Sequence, residues 1–174
     1  TGKYLNSLKN LDCLLGSLQL AKGAINAEIK RFVGIGTCFE YDFSKGNLSV
    51  KTSLDPKTPY AAAKVGLYKF LSQMLPTKSI EFSWCRLFYM YGEGEDERRL
   101  FPFIHKKLSK GEPVELSSGK QIRDFLEVSE VGKIITEISL SNKCGPINIC
   151  SGVPLSVRQF AEKTAWWSTV QRGD

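Results

Sequence analysis

Thr58-Pro-Tyr60-Ala-Ala-Ala-Lys64 opens a helix. Thr58 is a ready N-cap, and Pro59 suits the first helical position because its fixed φ is already helical. Tyr60 and Lys64 stand four residues apart, so a phenol and an ammonium leave the same face. The apolar spacing of Val65, Leu67, Tyr68, Leu71, Met74 and Leu75 then predicts a helix packed along one side, stopped near Pro76. Taken alone, Tyr-x-x-x-Lys is a common pattern, and a solvated lysine beside a half-buried tyrosine accounts for it. Its neighbours give it weight.

On the N-terminal side, Phe32-Val-Gly-Ile-Gly36 reads as a short buried strand ending in glycine. A long helix over residues 5–30 precedes it, and a loop over 41–56, rich in Ser, Asp, Asn and Gly, follows. On the C-terminal side, residues 80–90 read as a second apolar strand. Helix, strand, loop, helix, strand predicts an α/β fold with a parallel sheet. In such sheets ligands sit at the carboxyl ends of the strands. Thr37 lies just past the first strand and Tyr89 to Gly92 just past the second. Further on come an acidic loop, Glu93-Gly-Glu-Asp-Glu97, a helix over 98–110 and a short strand over 114–116. An apolar piece over 125–128, a helix over 129–140 and a strand over 146–150 follow. Ser156 with Gln159 three residues on marks the start of a last helix.

The 174 residues suffice to bury a core, and 42% apolar with 24% charged is ordinary globular composition. No apolar run approaches the length of a membrane span. Five cysteines without a C-x-x-C pair predict buried free thiols in a reducing cytoplasm, with neither disulfide frame nor metal site. The net charge of +6 is spread along the chain. It favours a small anionic ligand over nucleic acid.

Four segments in order carry a resemblance: Gly36-Thr-Cys-Phe-Glu-Tyr41, Tyr60-Ala-Ala-Ala-Lys64, Arg86-Leu-Phe-Tyr-Met-Tyr-Gly92 and Gly119-Lys-Gln-Ile-Arg-Asp-Phe125. Asn148-Ile-Cys-Ser-Gly152 adds a fifth. Together they resemble the extended short-chain dehydrogenases/reductases of the NAD-dependent epimerase/dehydratase family, which act on nucleotide-activated sugars. The wording around Thr37 is nearest to CDP-abequose synthase-like reductases. The glycine-rich fingerprint of that family is missing, and the chain starts at Thr1, not Met. The resemblance therefore implies a fragment, with roughly two βαβ units of about 30 residues before Thr1. Residues 1–92 would complete a partial Rossmann-like domain flanked by helices. Residues 93–174 would form a smaller α+β substrate-binding region, with about 123–141 returning to the Rossmann core. Residues 166–174 depart from the family helix expected there.

The resemblance assigns roles. Tyr60 would exchange a proton with the sugar, while Lys64 would hold the nicotinamide ribose and lower the phenol's pKa. Bringing a phenol from about 10 to about 7 needs about 4 kcal/mol. One ammonium at ~4 Å, with an effective dielectric of ~20, supplies about that much. Thr37 would hydrogen-bond the reacting sugar oxygen, and Leu87 would line the cofactor site. Arg123 would grip the nucleotide's phosphates, with Gln121, Arg98 and Arg99 beside it and Tyr89 in the nucleotide-contacting place where many members have Asn. Each arginine also has a plain alternative: Arg123 paired with Asp124 or Glu127, and Arg98 and Arg99 balancing the acidic loop. Cofactors would be NAD or NADP, the partner a nucleotide-diphosphate sugar, and the full-length protein a cytoplasmic homodimer free of membrane and nucleic acid. Cys38-Phe39 stand directly after Thr37, where the family's 4,6-dehydratases have Asp-Glu, which disfavours dehydration. Phe39 stands where GDP-fucose synthase-like enzymes have Cys. Epimerisation or ketoreduction at C4 remains, with this fragment inactive alone. The alternative is a non-catalytic member that binds dinucleotide or a protein partner.

Overall fold

The computed structural model describes residues 2–115 and 118–170. In chain order the elements are α1 (Lys9–Asn26), β1 (Arg31–Thr37), α2 (Pro59–Met74), β2 (Glu81–Leu87), β3 (Tyr89–Tyr91), α3 (Leu100–Ser109), β4 (Ile122–Glu127), α4 (Val128–Leu140), β5 (Gly145–Ile149), β6 (Pro154–Ser156) and α5 (Val157–Val170). The chain parts into two compact units. One comprises Gly2–Leu87 with Lys133–Ile149; the other comprises Phe88–Gly132 and the described residues from Cys150 on.

The first unit is a parallel sheet in the order β1-β2-β5. Leu67 and Leu71 of α2 and Ala21 of α1 pack with Phe82 and Trp84 of β2, and Leu14, Leu18 and Ile25 of α1 pad this core. Those α1 positions recur at helical spacing, the inward stripe of an amphipathic helix. The fold is thus the α/β arrangement expected, with the parallel sheet flanked by helices. Gly34 and Gly36 make room for Trp84. A Cβ on Gly34 would stand 2.4 Å from Trp84 Cε3, and one on Gly36 would stand 2.3 Å from Trp84 Nε1 and 2.4 Å from Glu40 Oε1. The glycines in the first strand therefore admit an indole against the backbone.

The second unit holds a small sheet in which β3 pairs parallel with β4, and β4 antiparallel with β6. Phe125 of β4 stacks on Phe160 of α5 at 3.9 Å, and Tyr91 meets the same ring edge-on at 5.0 Å. Ser156 and Gln159 form the expected reciprocal cap of α5: the Gln159 amide donates to Ser156 Oγ, and the Ser156 amide to Gln159 Oε1.

Several expectations are corrected. The helix over 5–30 is broken at its start: Gly2–Asn6 is a 3-10 turn and α1 begins at Lys9. Asn10 Nδ2 donates to the carbonyls of Tyr4 and Ser7, occupying acceptors that a continuous helix would use. The apolar run 80–90 is two strands, because β2 pairs with β1 and β5 up to Leu87 while β3 pairs with β4. Residues 112–115 are not strand: the chain turns at Gly111 (φ 69°), and the Glu112 amide donates to the Lys107 carbonyl. Leu116 lies outside the described residues. Helix α5 continues through Val170, contrary to the departure expected from residue 166, and residues 171–174 lie outside the description. Cys38 and Cys85 are buried, but Cys13 and Cys144 are exposed, so not every thiol is a core residue.

Packing at the glycines gives a paired prediction. Gly36→Ala is expected to lower stability by about 1–3 kcal/mol through overpacking against Trp84. Gly66→Ala, on α2 where a Cβ meets nothing within 4 Å, is expected to raise it by about 0.5–1 kcal/mol. Urea unfolding of the two variants checks both signs.

Candidate active site

Strand β1 ends at Thr37, which is buried, and the chain turns there into a single 3-10 turn, Cys38–Glu40. A capping box makes the turn. The Phe39 amide donates to Thr37 Oγ1 at 3.3 Å, and the Thr37 amide donates to Glu40 Oε1 at 2.9 Å. Tyr60 lies in the first turn of α2, set by Pro59 and by Thr58, whose hydroxyl accepts from the Ala61 amide at 3.2 Å. Thr37 and Tyr60 are brought together: the Thr37 side chain stands close enough to the Tyr60 phenol to lower its pKa. The Tyr4 ring packs edge-on against Tyr60 with centroids 5.2 Å apart. Leu87, half-buried, stands opposite Thr37 in the β1–β2 register, so it too reaches the carboxyl end of the sheet.

Lys64 follows one turn after Tyr60, but its Nζ donates to the Ile35 carbonyl of β1 at 2.8 Å. Burial lowers its pKa, with Glu40 and then Cys13 acting against the shift. Tyr60 is pushed above the usual phenol value by burial first, while the Thr37 hydrogen bond works to lower it. Tyr4, Cys38 and Glu40 add to the rise. The expected lowering of Tyr60 by Lys64 is therefore not what this arrangement shows. The physical reason is competition. Among the described residues β1 is an edge strand, and a backbone carbonyl beside α2 takes the ammonium.

A buried network behind Thr37 was not singled out from the sequence. Glu40 has no exposed surface. Besides the Thr37 amide it accepts from Trp84 Nε1 at 3.0 Å and Arg86 Nε at 2.7 Å. The Arg86 guanidinium lies 4.7 Å from the ring centroids of both Tyr41 and Tyr68 and donates to the Tyr41 hydroxyl at 3.0 Å. That hydroxyl donates to Asn148 Oδ1 at 2.6 Å. The signal was present: Thr37-x-x-Glu40 has capping-box spacing.

The expected phosphate-side residues lie in the second unit. Arg123 has its guanidinium 5.0 Å from the Tyr89 ring centroid and donates to the Ile122 carbonyl at 2.8 Å. Asp124, one suggested partner, instead accepts from the Ser151 and Gly152 amides. Gln121 is exposed, and its carbonyl accepts from the Val157 amide. Arg98 is exposed and held by Asp96 at 2.5 Å, the loop-balancing alternative. The Arg99 amide donates to the Asp96 carbonyl. A cleft of about 1110 Å³ opens within this unit, with Tyr91, Phe101, His105, Glu95 and Phe160 among its walls. Tyr89, Arg98, Arg99, Gln121 and Arg123 do not line it. Among the described residues no cluster of His, Cys, Asp and Glu is placed to hold a metal ion, and no helix is long and apolar enough to cross a membrane.

Residues 10–150 match the NAD dependent epimerase/dehydratase family. The chain belongs to that family. It is 29% identical over 141 residues to the dTDP-6-deoxy-L-talose 4-dehydrogenase (NAD(+)) of Aggregatibacter actinomycetemcomitans, an alignment covering 78% of this chain and 51% of that protein. Among solved structures it resembles a UDP-N-acetylglucosamine 4-epimerase from Methanobrevibacter ruminantium M1 in complex with UDP-N-acetylmuramic acid. The identity is 26% and the TM-score 0.77, over 84% of this chain and 49% of that one. The UDP-glucose 4-epimerase of Thermus thermophilus, in complex with NAD, shares the fold at 22% identity and a TM-score of 0.77, over 90% and 54%. The chain thus spans about half the length of the curated family relative described.

The buried phenols give a pH prediction. Burial, the largest cause in each case, raises Tyr41 and Tyr60 above the usual 10.0. A raised folded pKa means that the folded state holds the proton longer. The stability this contributes is full below pH 10 and is lost as pH rises through the folded values. Lys64, with its lowered pKa, acts oppositely, since its penalty is relieved as it deprotonates. Tyr60→Phe is expected to flatten the alkaline fall in stability, measured by urea unfolding on either side of about pH 10.

Proposed function

We propose that the whole protein catalyses NAD(P)-dependent epimerisation or ketoreduction at C4 of a nucleotide-diphosphate sugar. The observation that carries this reading is the Thr37 side chain beside the Tyr60 phenol at the carboxyl end of a parallel strand, in a chain of this family. The 4-dehydrogenase and 4-epimerase names of its relatives support position 4. In this reading residues 1–92 serve the cofactor side and 93–174 the substrate side, with about 123–141 returning to the core. Arg123, Gln121, Arg98, Arg99 and Tyr89 meet the nucleotide. The protein is a cytoplasmic homodimer, and the exposed Leu8, Leu11 and Leu15 on and beside α1 support an apolar contact between copies.

The residues present fit part of a nicotinamide site. Lys64 Nζ donates to the Ile35 carbonyl, and once released from it has donors for the ribose hydroxyls. Leu87 stands at the strand ends beside Thr37. Bound there, NAD(P) supplies hydride transfer. Tyr60 moves the proton of the C4 oxygen. Thr37 holds that oxygen, with one of its own lone pairs already occupied by the Phe39 amide. Lys64 is the cation one turn away that lowers the phenol once Nζ leaves the Ile35 carbonyl, since a charge at ~4 Å and an effective dielectric of ~20 supplies about 4 kcal/mol. This chain by itself lacks the glycine fingerprint and has little turnover.

In the full-length protein Tyr60→Phe is expected to cut kcat by about 10²–10⁴-fold, with sugar-nucleotide binding retained in calorimetry. Turnover within severalfold of the parent removes Tyr60 from this role. The Lys64–Ile35 bond favours one second reading, a non-catalytic member that binds dinucleotide or a protein partner. Saturable cofactor binding without turnover on any nucleotide sugar would select it.

A further inference from the structure

Glu40 is a carboxylate with no exposed surface, three residues after the end of β1, and the mechanism above leaves it unused. Its oxygens meet donors on two elements: the Thr37 amide at 2.9 Å, and Trp84 Nε1 and Arg86 Nε of β2 at 3.0 and 2.7 Å. Arg86 is in turn held between the Tyr41 and Tyr68 rings. The carboxylate is therefore fixed from β2 and reaches back to the one backbone amide that precedes the Thr37 side chain. A Cβ on Gly36 would strike both Glu40 and Trp84, so this contact leaves no slack.

We infer that Glu40 is a positioning residue: clamped by Arg86 and Trp84, it holds the Thr37 amide and thereby sets the Thr37 hydroxyl against the Tyr60 phenol. This rests on the proposed reading for the importance of the Thr37–Tyr60 pair. Its test reads the geometry of that pair and not turnover, so the two can fail separately.

The groups facing Tyr60 are Tyr4 from the N-terminal turn and Thr37, Cys38 and Glu40 from the end of β1, while Lys64 on its own helix donates to the Ile35 carbonyl. Position and charge predict opposite signs. The charge of Glu40 raises Tyr60 and the Thr37 hydrogen bond lowers it. Removing the charge alone therefore lowers the phenol's titration, while releasing Thr37 raises it. Glu40→Asp keeps the charge beside Arg86 but withdraws it by one methylene.

The measurements are hydrogen exchange of the Thr37 amide and alkaline titration of Tyr60 by carbon-13 NMR, on the full chain. In Glu40→Asp the Thr37 amide is expected to exchange roughly tenfold faster or more, the loss of one charge-assisted hydrogen bond, and Tyr60 is expected to titrate higher. In a Thr37→Val background the same substitution should leave Tyr60 where Thr37→Val alone puts it. A Thr37 amide still as slow as in the parent, with Tyr60 unmoved, overturns the inference. If neither variant folds, the unsubstituted chain decides: a Thr37 amide exchanging as fast as an exposed one overturns the inference, and a strongly protected one upholds it.

Discussion

One buried ion pair joins the two strands on which the candidate site is built. Glu40 and Arg86 are both almost wholly removed from solvent, 2.7 Å apart. Taking two charges out of water is unfavourable by several kcal/mol per ion unless their remaining hydrogen-bonding capacity is met. Here it is met by neighbours of the right type. Trp84 and the Thr37 amide supply donors to the carboxylate, and Tyr41 accepts from the guanidinium and lends its ring face. Replacing one partner would leave the other charge stranded, so the pair acts as a constraint more than as a source of net stability. It determines where β1 stops and how the next turn leaves the sheet.

That constraint explains why Thr37 and Tyr60 meet. Thr37 is fixed by its own amide and by the Phe39 amide on its hydroxyl. Tyr60 is fixed by a capped, proline-led first turn. Both supports are local and rigid, which suits a site needing placement to within a fraction of an ångström. Lys64 differs. Its ammonium ends a long flexible stem, and the nearest strong acceptor is a strand carbonyl. The electrostatics follow from that choice: burial dominates both groups, raising the phenol and lowering the ammonium.

The second unit shows how charge within a few residues can absorb an expected ligand contact. Asp96 holds Arg98 by its backbone amide and its guanidinium at once, an Asx-type turn after which α3 starts two residues later than expected. Asp124 likewise closes on the Ser151 and Gly152 amides, which leaves Arg123 over the Tyr89 ring.

The order of residues was enough to determine the α/β class, the capped helix bearing Tyr60 and Lys64, the strand leading into Thr37 and the α5 cap. Each depends on neighbours within a few positions: an N-cap, a proline, or a period of 3.6 or 2. Strand partners were not legible that way, so one apolar run over 80–90 concealed a change of sheet at Phe88. Nor could spacing reveal which way Lys64 points, or that Glu40, Trp84 and Arg86 converge. Those outcomes belong to tertiary structure, because a side chain's partner is whichever donor or acceptor the fold brings within 3 Å, and here those partners come from residues 29 to 46 positions away in the chain.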